Sequence, residues 1–281
     1  MSSGTLQAVS PVVCGSLAVA LVSCAPRAPA LPSGSGTPFP EAATAYAEAT
    51  QQCRGVRTLS AELRLSGRAG RTKLRGRILA GFAAPARLRL EAPAPFGRPV
   101  FVLVADNRDA TLVLYKAGRV LQGAPPDAIV DALAGVALDP DQLRSAIAGC
   151  GFGATTATAG RTYPGDWASV DADGSTNWLH RADGAWRVVA ASRDGMEIRY
   201  ENFSSGRPST VRVRTRMSGS ATELAITLSQ VEINTELGAE VFQVEVPRDA
   251  APITLEELRE AGPLGSSGQD EQTRRSGTAR R

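Results

Sequence analysis

The chain has 281 residues, 43% hydrophobic and 21% charged, a composition that excludes disorder throughout. Its formal net charge of +3 argues against a dedicated nucleic-acid binder. One histidine and four cysteines exclude a multi-histidine metal centre, and His180 alone is left to serve any Ser-His or Cys-His chemistry.

Residues 1–23 read as an export signal, with no Lys, Arg, Asp or Glu before Cys24. Pro11 to Val22 is a short apolar run broken by Cys14, Gly15 and Ser16. It is too short for a good membrane span and suits the apolar core of a signal peptide. The run ends in Leu21-Val22-Ser23-Cys24, which resembles the lipobox of bacterial lipoproteins. That resemblance implies cleavage before Cys24, fatty acyl chains such as palmitate on Cys24, and anchoring at the periplasmic face of a membrane. The absence of a basic residue ahead of the apolar run departs from the usual signal. An ordinary secretory signal with a chance cysteine is the alternative. Ala25 follows the cysteine where the enterobacterial retention signal has Asp, which under that rule directs the protein to the outer membrane. Residues 24–40, rich in Pro, Ala, Ser and Gly, form a tether.

From Glu41 to Cys53 the spacing is helical, with Ala43, Tyr46, Thr50 and Cys53 on one face. The period then becomes two. Leu59, Ala61, Leu63 and Leu65 alternate with polar residues, as do Leu74, Gly76 and Ile78, and then Leu88 and Leu90. Each stretch reads as a strand with one dry and one wet face. Val100 to Ala105 is apolar on both faces and reads as a strand covered on both sides. Thr111–Tyr115 and Arg119–Gln122 continue the meander.

Two helices interrupt it. Asp127–Leu133 is short; the second has Asp139 as N-cap, Pro140 in first position and Gln142 completing a capping box. Leu143, Ile147 and Cys150 share a face of the second. Further strands are expected at Trp178–His180 and Trp186–Ala191, around an Asp183-Gly184 turn, and at Met196–Asn202, Val211–Met217, Glu223–Leu228 and Phe242–Val246. The fold class is α+β: one curved antiparallel sheet with helices on its concave side. With 5% aromatic residues such a sheet fills its hollow poorly, which suggests an apolar cavity, although helices alone could fill it. The folded domain is expected over 41–250. Residues 251–281 are expected to be a mostly disordered tail, basic and without apolar periodicity from Gly262 on.

The chain then resembles the LolA/LolB superfamily of lipoprotein carriers, and LolB-like receptors more than LolA-like carriers. The resemblance spans roughly Glu41 to Pro247. It rests on the opening helix followed by Leu59-Ser-Ala-Glu-Leu-Arg-Leu-Ser-Gly67, on Ala86-Arg-Leu-Arg-Leu-Glu91 leading into Pro95-Phe96-Gly97, and on Leu138-Asp-Pro-Asp-Gln-Leu143 heading a helix that stops at Gly149. It implies an incomplete barrel with a helical lid over a cavity for lipoprotein acyl chains, delivery to the outer membrane, and a LolA-like periplasmic carrier as partner. Related folds serve lipid-carrying mycobacterial lipoproteins and RseB-type sensors, so a non-transporting sensor or assembly scaffold is the alternative. RseB-type sensors carry a second folded domain, for which the tail here is too short.

The candidate cavity walls are Leu63, Leu65, Leu74, Ile78, Leu88 and Leu90 from strands and Ile129, Leu133, Leu143 and Ile147 from helices; the alternative is that they simply pack together. In the resemblance, Pro95, Phe96 and Gly97 fall on a protruding loop whose apolar residue enters the membrane. Three prolines and a glycine deny that segment sheet pairing. The alternative is that Phe96 folds back onto the core. Cys53 and Cys150 remain after processing and suggest a disulfide in an oxidising compartment, against two buried thiols. Arg68, Arg71, Lys73, Arg75 and Arg77 form a basic hairpin, either a solvated outer face or one turned to anionic lipid. Asp171-Ala-Asp-Gly174 lacks the closing glutamate of a calcium loop and reads as a hairpin turn. Gly149-Cys-Gly-Phe-Gly153 has no following lysine and reads as a helix stop. Without Cys-x-x-Cys or Gly-x-Ser-x-Gly, no metal, cofactor or enzymatic activity is expected.

Overall fold

The computed structural model describes residues 30–262 apart from 107, 218 and 219. The expected signal, Cys24 and the residues beyond 262 lie outside the described residues. In chain order the elements are β1 (Thr37–Pro38), α1 (Ala42–Arg54), β2 (Thr58–Ala69), β3 (Thr72–Ala83), β4 (Arg87–Ala92), β5 (Phe101–Asp106), β6 (Asp109–Leu114), β7 (Arg119–Ala124), α2 (Pro126–Ala134), α3 (Pro140–Ala148), β8 (Ala157–Tyr163), β9 (Trp167–Ala172), β10 (Ser175–Ala182), β11 (Ala185–Arg193), β12 (Met196–Ser204), β13 (Arg207–Met217), β14 (Ser220–Ile233), a 3-10 turn (Ala239–Phe242), β15 (Ala251–Pro252) and α4 (Leu255–Ala261).

Among the described residues, fifteen strands form one sheet in the order β1-β8-β9-β10-β11-β12-β13-β14-β2-β3-β4-β5-β6-β7-β15. The chain lays down two meanders, β2–β7 and β8–β14, and α2 and α3 occupy the connection between them. The meanders join where β14 pairs with β2, with Leu228 opposite Leu63. All neighbours are antiparallel except β15 against β7. The end strands β1 and β15 do not meet, so the curved sheet stays open.

Alternation along the strands puts Leu59, Ala61 and Leu63 of β2 and Leu224 and Leu228 of β14 into one core, which α1, α2 and α3 cover. Helix α1 lies across β8, β9 and β11. Its buried face is Ala42, Ala45, Tyr46, Thr50 and Cys53; Ala42 opens it rather than the expected Ala43, which is exposed. The close seat needs Gly160 on β8, since a Cβ there would stand 2.3 Å from that of Ala42. Phe101 to Ala105 of β5 are all buried, as a strand covered on both sides requires, whereas Val100, expected to open that strand, lies outside it and is exposed. The inner residues Phe101, Leu103 and Ala105 join the core, and the segment around the 3-10 turn packs on the other side.

The expected strand at Phe242–Val246 is absent. Arg89 of β4 donates to the carbonyls of Val241 and Gln243, at 3.3 and 3.0 Å, and so takes up backbone acceptors that a strand would use. Phe242 is buried, with the Arg87 guanidinium 4.9 Å from its ring centroid. The expected boundaries at 41 and 250 are both too tight. Within the tether, Thr37 and Pro38 pair with β8. Within the tail, β15 pairs with β7, and α4 buries Leu258 in the core behind a capping box of Thr254 and Glu257.

Candidate functional site

The helix-covered sheet face carries six of the ten expected wall positions, and α2 and α3 carry the other four. Leu63, Leu74, Leu88, Ile129, Leu133 and Ile147 are buried, and Leu65, Ile78, Leu90 and Leu143 are partly buried. All ten belong to one continuous core and pack with one another in this conformation. A cleft of about 440 Å³ lies elsewhere, between α1 and the β10–β11 and β12–β13 turns. It is lined by Glu48, Gln52, Trp186, Arg187, Phe203 and Arg207 among others, and by none of the ten.

Helix α2 starts at Pro126 and stops at Gly135, whose φ of 68° is left-handed. A Cβ at Gly135 would stand 2.2 Å from the Thr222 hydroxyl, so glycine is needed for both the turn and the close approach to β14. The buried side chains of α2 are apolar: Pro126, Ile129, Val130, Ala132 and Leu133. They pack against β6 and α4. Helix α3 has the expected capping box of Asp139 and Gln142 and ends at Gly149, also left-handed.

Phe96 is 93% exposed, the most exposed large hydrophobic side chain among the described residues. Its loop leaves β4 after Ala92 and closes where the Val100 amide donates to the Ala92 carbonyl at 2.8 Å. Pro95 and Gly97 flank it, both exposed, and Gly97 has φ 78°. The alternative in which Phe96 folds onto the core is therefore overturned. Exposed Arg98 beside it lies 5.9 Å from the Tyr115 ring centroid.

Cys53 at the end of α1 and Cys150 after α3 stand with Cα atoms 5.6 Å apart and sulfurs at bonding distance. Two tyrosine hydroxyls near them are hydrogen-bonded. Tyr46 donates its hydroxyl to the Ala154 carbonyl at 3.1 Å, and the Tyr200 hydroxyl accepts from the Gly151 amide at 2.8 Å. Burial pushes both hydroxyls above the ordinary tyrosine value, opposed at Tyr46 by Arg54 and at Tyr200 by the Gly151 amide. His180 is half-buried, its ring 4.7 Å from that of Trp167. Asp173 and Gly174 form the expected turn, between β9 and β10, both with positive φ. No group of three or more His, Cys, Asp or Glu placed to hold a metal occurs among the described residues.

These features define an open curved sheet with one face under helices and a bare phenylalanine on the β4–β5 connection. No family model matches the sequence, and no curated protein matches it. Among solved structures, a LolA superfamily protein from Nitrosomonas europaea is similar at 12% identity, over 71% of this chain and 97% of that one, with a TM-score of 0.47. An outer membrane lipoprotein-sorting protein domain from Vibrio parahaemolyticus is similar at 11% identity, over 72% and 97%, with a TM-score of 0.46. The lipoprotein LppX from Mycobacterium tuberculosis is similar at 11% identity, over 71% and 98%, with a TM-score of 0.31. No helix among the described residues is long and apolar enough to cross a membrane.

Proposed function

We propose that this chain is a lipoprotein, anchored through Cys24, that takes acyl chains of lipoproteins or other lipids under its helices and delivers them to a membrane, the outer membrane in our reading. A LolA-like carrier would hand the cargo over, and the role is binding rather than catalysis. The observation that carries the proposal is the exposure of Phe96, 93% bare on a loop that prolines hold away from the sheet. Leaving such a side chain in water forgoes roughly 1.5–3 kcal/mol of burial. A bilayer recovers that energy. It is too little to anchor a protein, but acyl chains on Cys24 would anchor it, at about 0.8 kcal/mol per buried methylene. Phe96 instead holds the end of the sheet against the bilayer, so that cargo leaves without crossing water.

The packed core must open to admit an acyl chain. Among the described residues no α2 side chain makes a hydrogen bond to the sheet, so α2 is the element that parts from β6. Methylenes of the cargo then replace the contacts of Ile129 and Leu133. Phe96→Glu should leave the melting temperature, lipidation and acyl binding near wild type and slow transfer of bound lipoprotein into liposomes. Acyl binding is read with a fatty-acid probe displaced by acylated peptide but not by its unacylated form. A variant that delivers at the wild-type rate, or equal displacement by both peptides, removes the proposal.

A further inference from the structure

The β2–β3 hairpin concentrates positive charge in a way that folding does not require. Arg64, Arg68, Arg71, Lys73 and Arg75 are all exposed, and none has an ion-pair partner among the described residues. The register sets Arg68 directly opposite Lys73 and Arg64 directly opposite Arg77. Like charges directly opposed across a ladder are destabilising. The nearest acids are engaged elsewhere. Glu223, opposite Arg68 on β14, accepts from Arg214 at 2.7 Å, and Glu62 pairs with Arg77 at 3.4 Å.

Cations on a free sheet edge also deter unwanted strand pairing. Part of β3 is such an edge, because its pairing with β4 begins only at Leu79 opposite Glu91. That accounts for Lys73 and Arg75 but not for Arg64 and Arg68, since β2 is paired on both sides. The Phe96 loop leaves β4 after Ala92, next to the point where β3 loses its partner. The register thus brings the cationic face and the bare phenylalanine to the same corner of the sheet.

We infer that the outward face of the β2–β3 hairpin binds the headgroups of an anionic phospholipid bilayer and so holds the molecule where Phe96 enters. An anionic surface relieves the opposed pairs, and each cation near it strengthens binding about fivefold. This deepens the delivery reading by naming the membrane chemistry. The test uses the full chain carrying Cys24→Ser, sedimented with vesicles of phosphatidylcholine alone or mixed with phosphatidylglycerol. The protein should bind the mixed vesicles, and less as salt rises. Replacing Arg68, Lys73 and Arg75 together by Gln should weaken binding on the order of a hundredfold. The melting temperature should stay or rise, because an opposed like-charge pair is gone. Equal binding to phosphatidylcholine alone, or wild-type binding by the triple variant, overturns the inference. Release from vesicles by inositol hexakisphosphate at matched charge would point to a soluble polyanion site and overturns it as well. The assay contains no acylated cargo, so its failure leaves acyl uptake standing, and failure of acyl displacement leaves this result standing.

Discussion

Helices α1 and α2 both cover apolar sheet, and they are held by different forces. Helix α1 is fastened by directional groups. Its Tyr46 and Arg54 both donate to the Ala154 carbonyl at 3.1 Å, and Cys53 stands at bonding distance from Cys150. Arg144 of α3 reaches the Val56 carbonyl just beyond α1. Among the described residues, the buried side chains of helix α2 are all apolar, and its C-cap receives just the weak approach of the Thr215 hydroxyl to the Gly135 carbonyl, at 3.5 Å. A hydrogen bond or disulfide has a required geometry, and a buried group that loses its partner costs about 1–3 kcal/mol. An apolar contact is non-directional, so a methylene of a ligand can take the place of a leucine methyl. In the uptake we propose, the difference would make α1 the fixed wall and α2 the moving one.

Breaking the fixed wall gives the largest expected effect. Replacing Cys53 and Cys150 by Ser should cost about 2–5 kcal/mol in urea unfolding, because a bond across 97 residues of sequence removes much entropy from the unfolded chain. Acyl-probe affinity of the folded variant should be unchanged, since α2 is not tied by that bond. Affinity lost in proportion to stability would show that α1 also moves. Native protein with two alkylatable thiols would show that the bond does not form.

A smaller break removes one polar fastener. Tyr200→Phe leaves the buried Gly151 amide without its acceptor, an expected loss of about 1–3 kcal/mol. The wild-type hydroxyl, raised by burial, sets an alkaline limit as well. The stability tied to it is complete below the ordinary value of 10.0 and declines as pH rises above that, because the unfolded tyrosine ionises first. Tyr200→Phe should flatten that decline in urea midpoints measured against pH. An unchanged alkaline slope would assign it to Tyr46.

Much of this arrangement was legible from local chemistry. The α3 cap needs only Asp139 and Gln142, three residues apart, and both sides of the box form. The Asp183-Gly184 turn needs two residues of positive φ, and both have it. Strands β2 and β3 announce themselves by leucine alternation. Strand β8 does not: Ala157-Thr-Ala-Gly160 has no large residue to alternate, and α1 packs closely on it at Gly160. Strands β1 and β15 are two residues each and exist only through pairing with β8 and β7, which no local pattern records. Helix α4 was readable and missed: Thr254 and Glu257 have the same spacing as the α3 box. The Phe96 segment could be read as a loop, but whether its ring faced solvent or core depended on the course of β3, β4 and β5 together.

The smallest expected effect tests how the fixed wall ends. Asp173, in the turn after β9, accepts from the Thr155 amide at 2.7 Å, the Thr156 amide at 3.3 Å and the Thr155 hydroxyl at 3.3 Å. These donors continue the segment fastened at Cys150, Gly151 and Ala154. The two amide hydrogen bonds, Thr155 first, hold the carboxyl below its ordinary value of 3.8. A lowered carboxylate stabilises the fold above its unfolded value and loses that contribution as pH falls through the folded one. The Thr155 and Thr156 amide resonances should therefore hold steady above about pH 4 and shift only below it, with a midpoint under the ordinary aspartate value. Asp173→Asn should abolish the titration without altering α2, because the carboxylate touches only the segment that continues the wall. The group is fully exposed, so the effect is local loosening rather than unfolding. A midpoint at or above the ordinary value would mean that the amides do not hold the carboxylate in solution. The wall would then end at the Ala154 carbonyl, where Tyr46 and Arg54 bind.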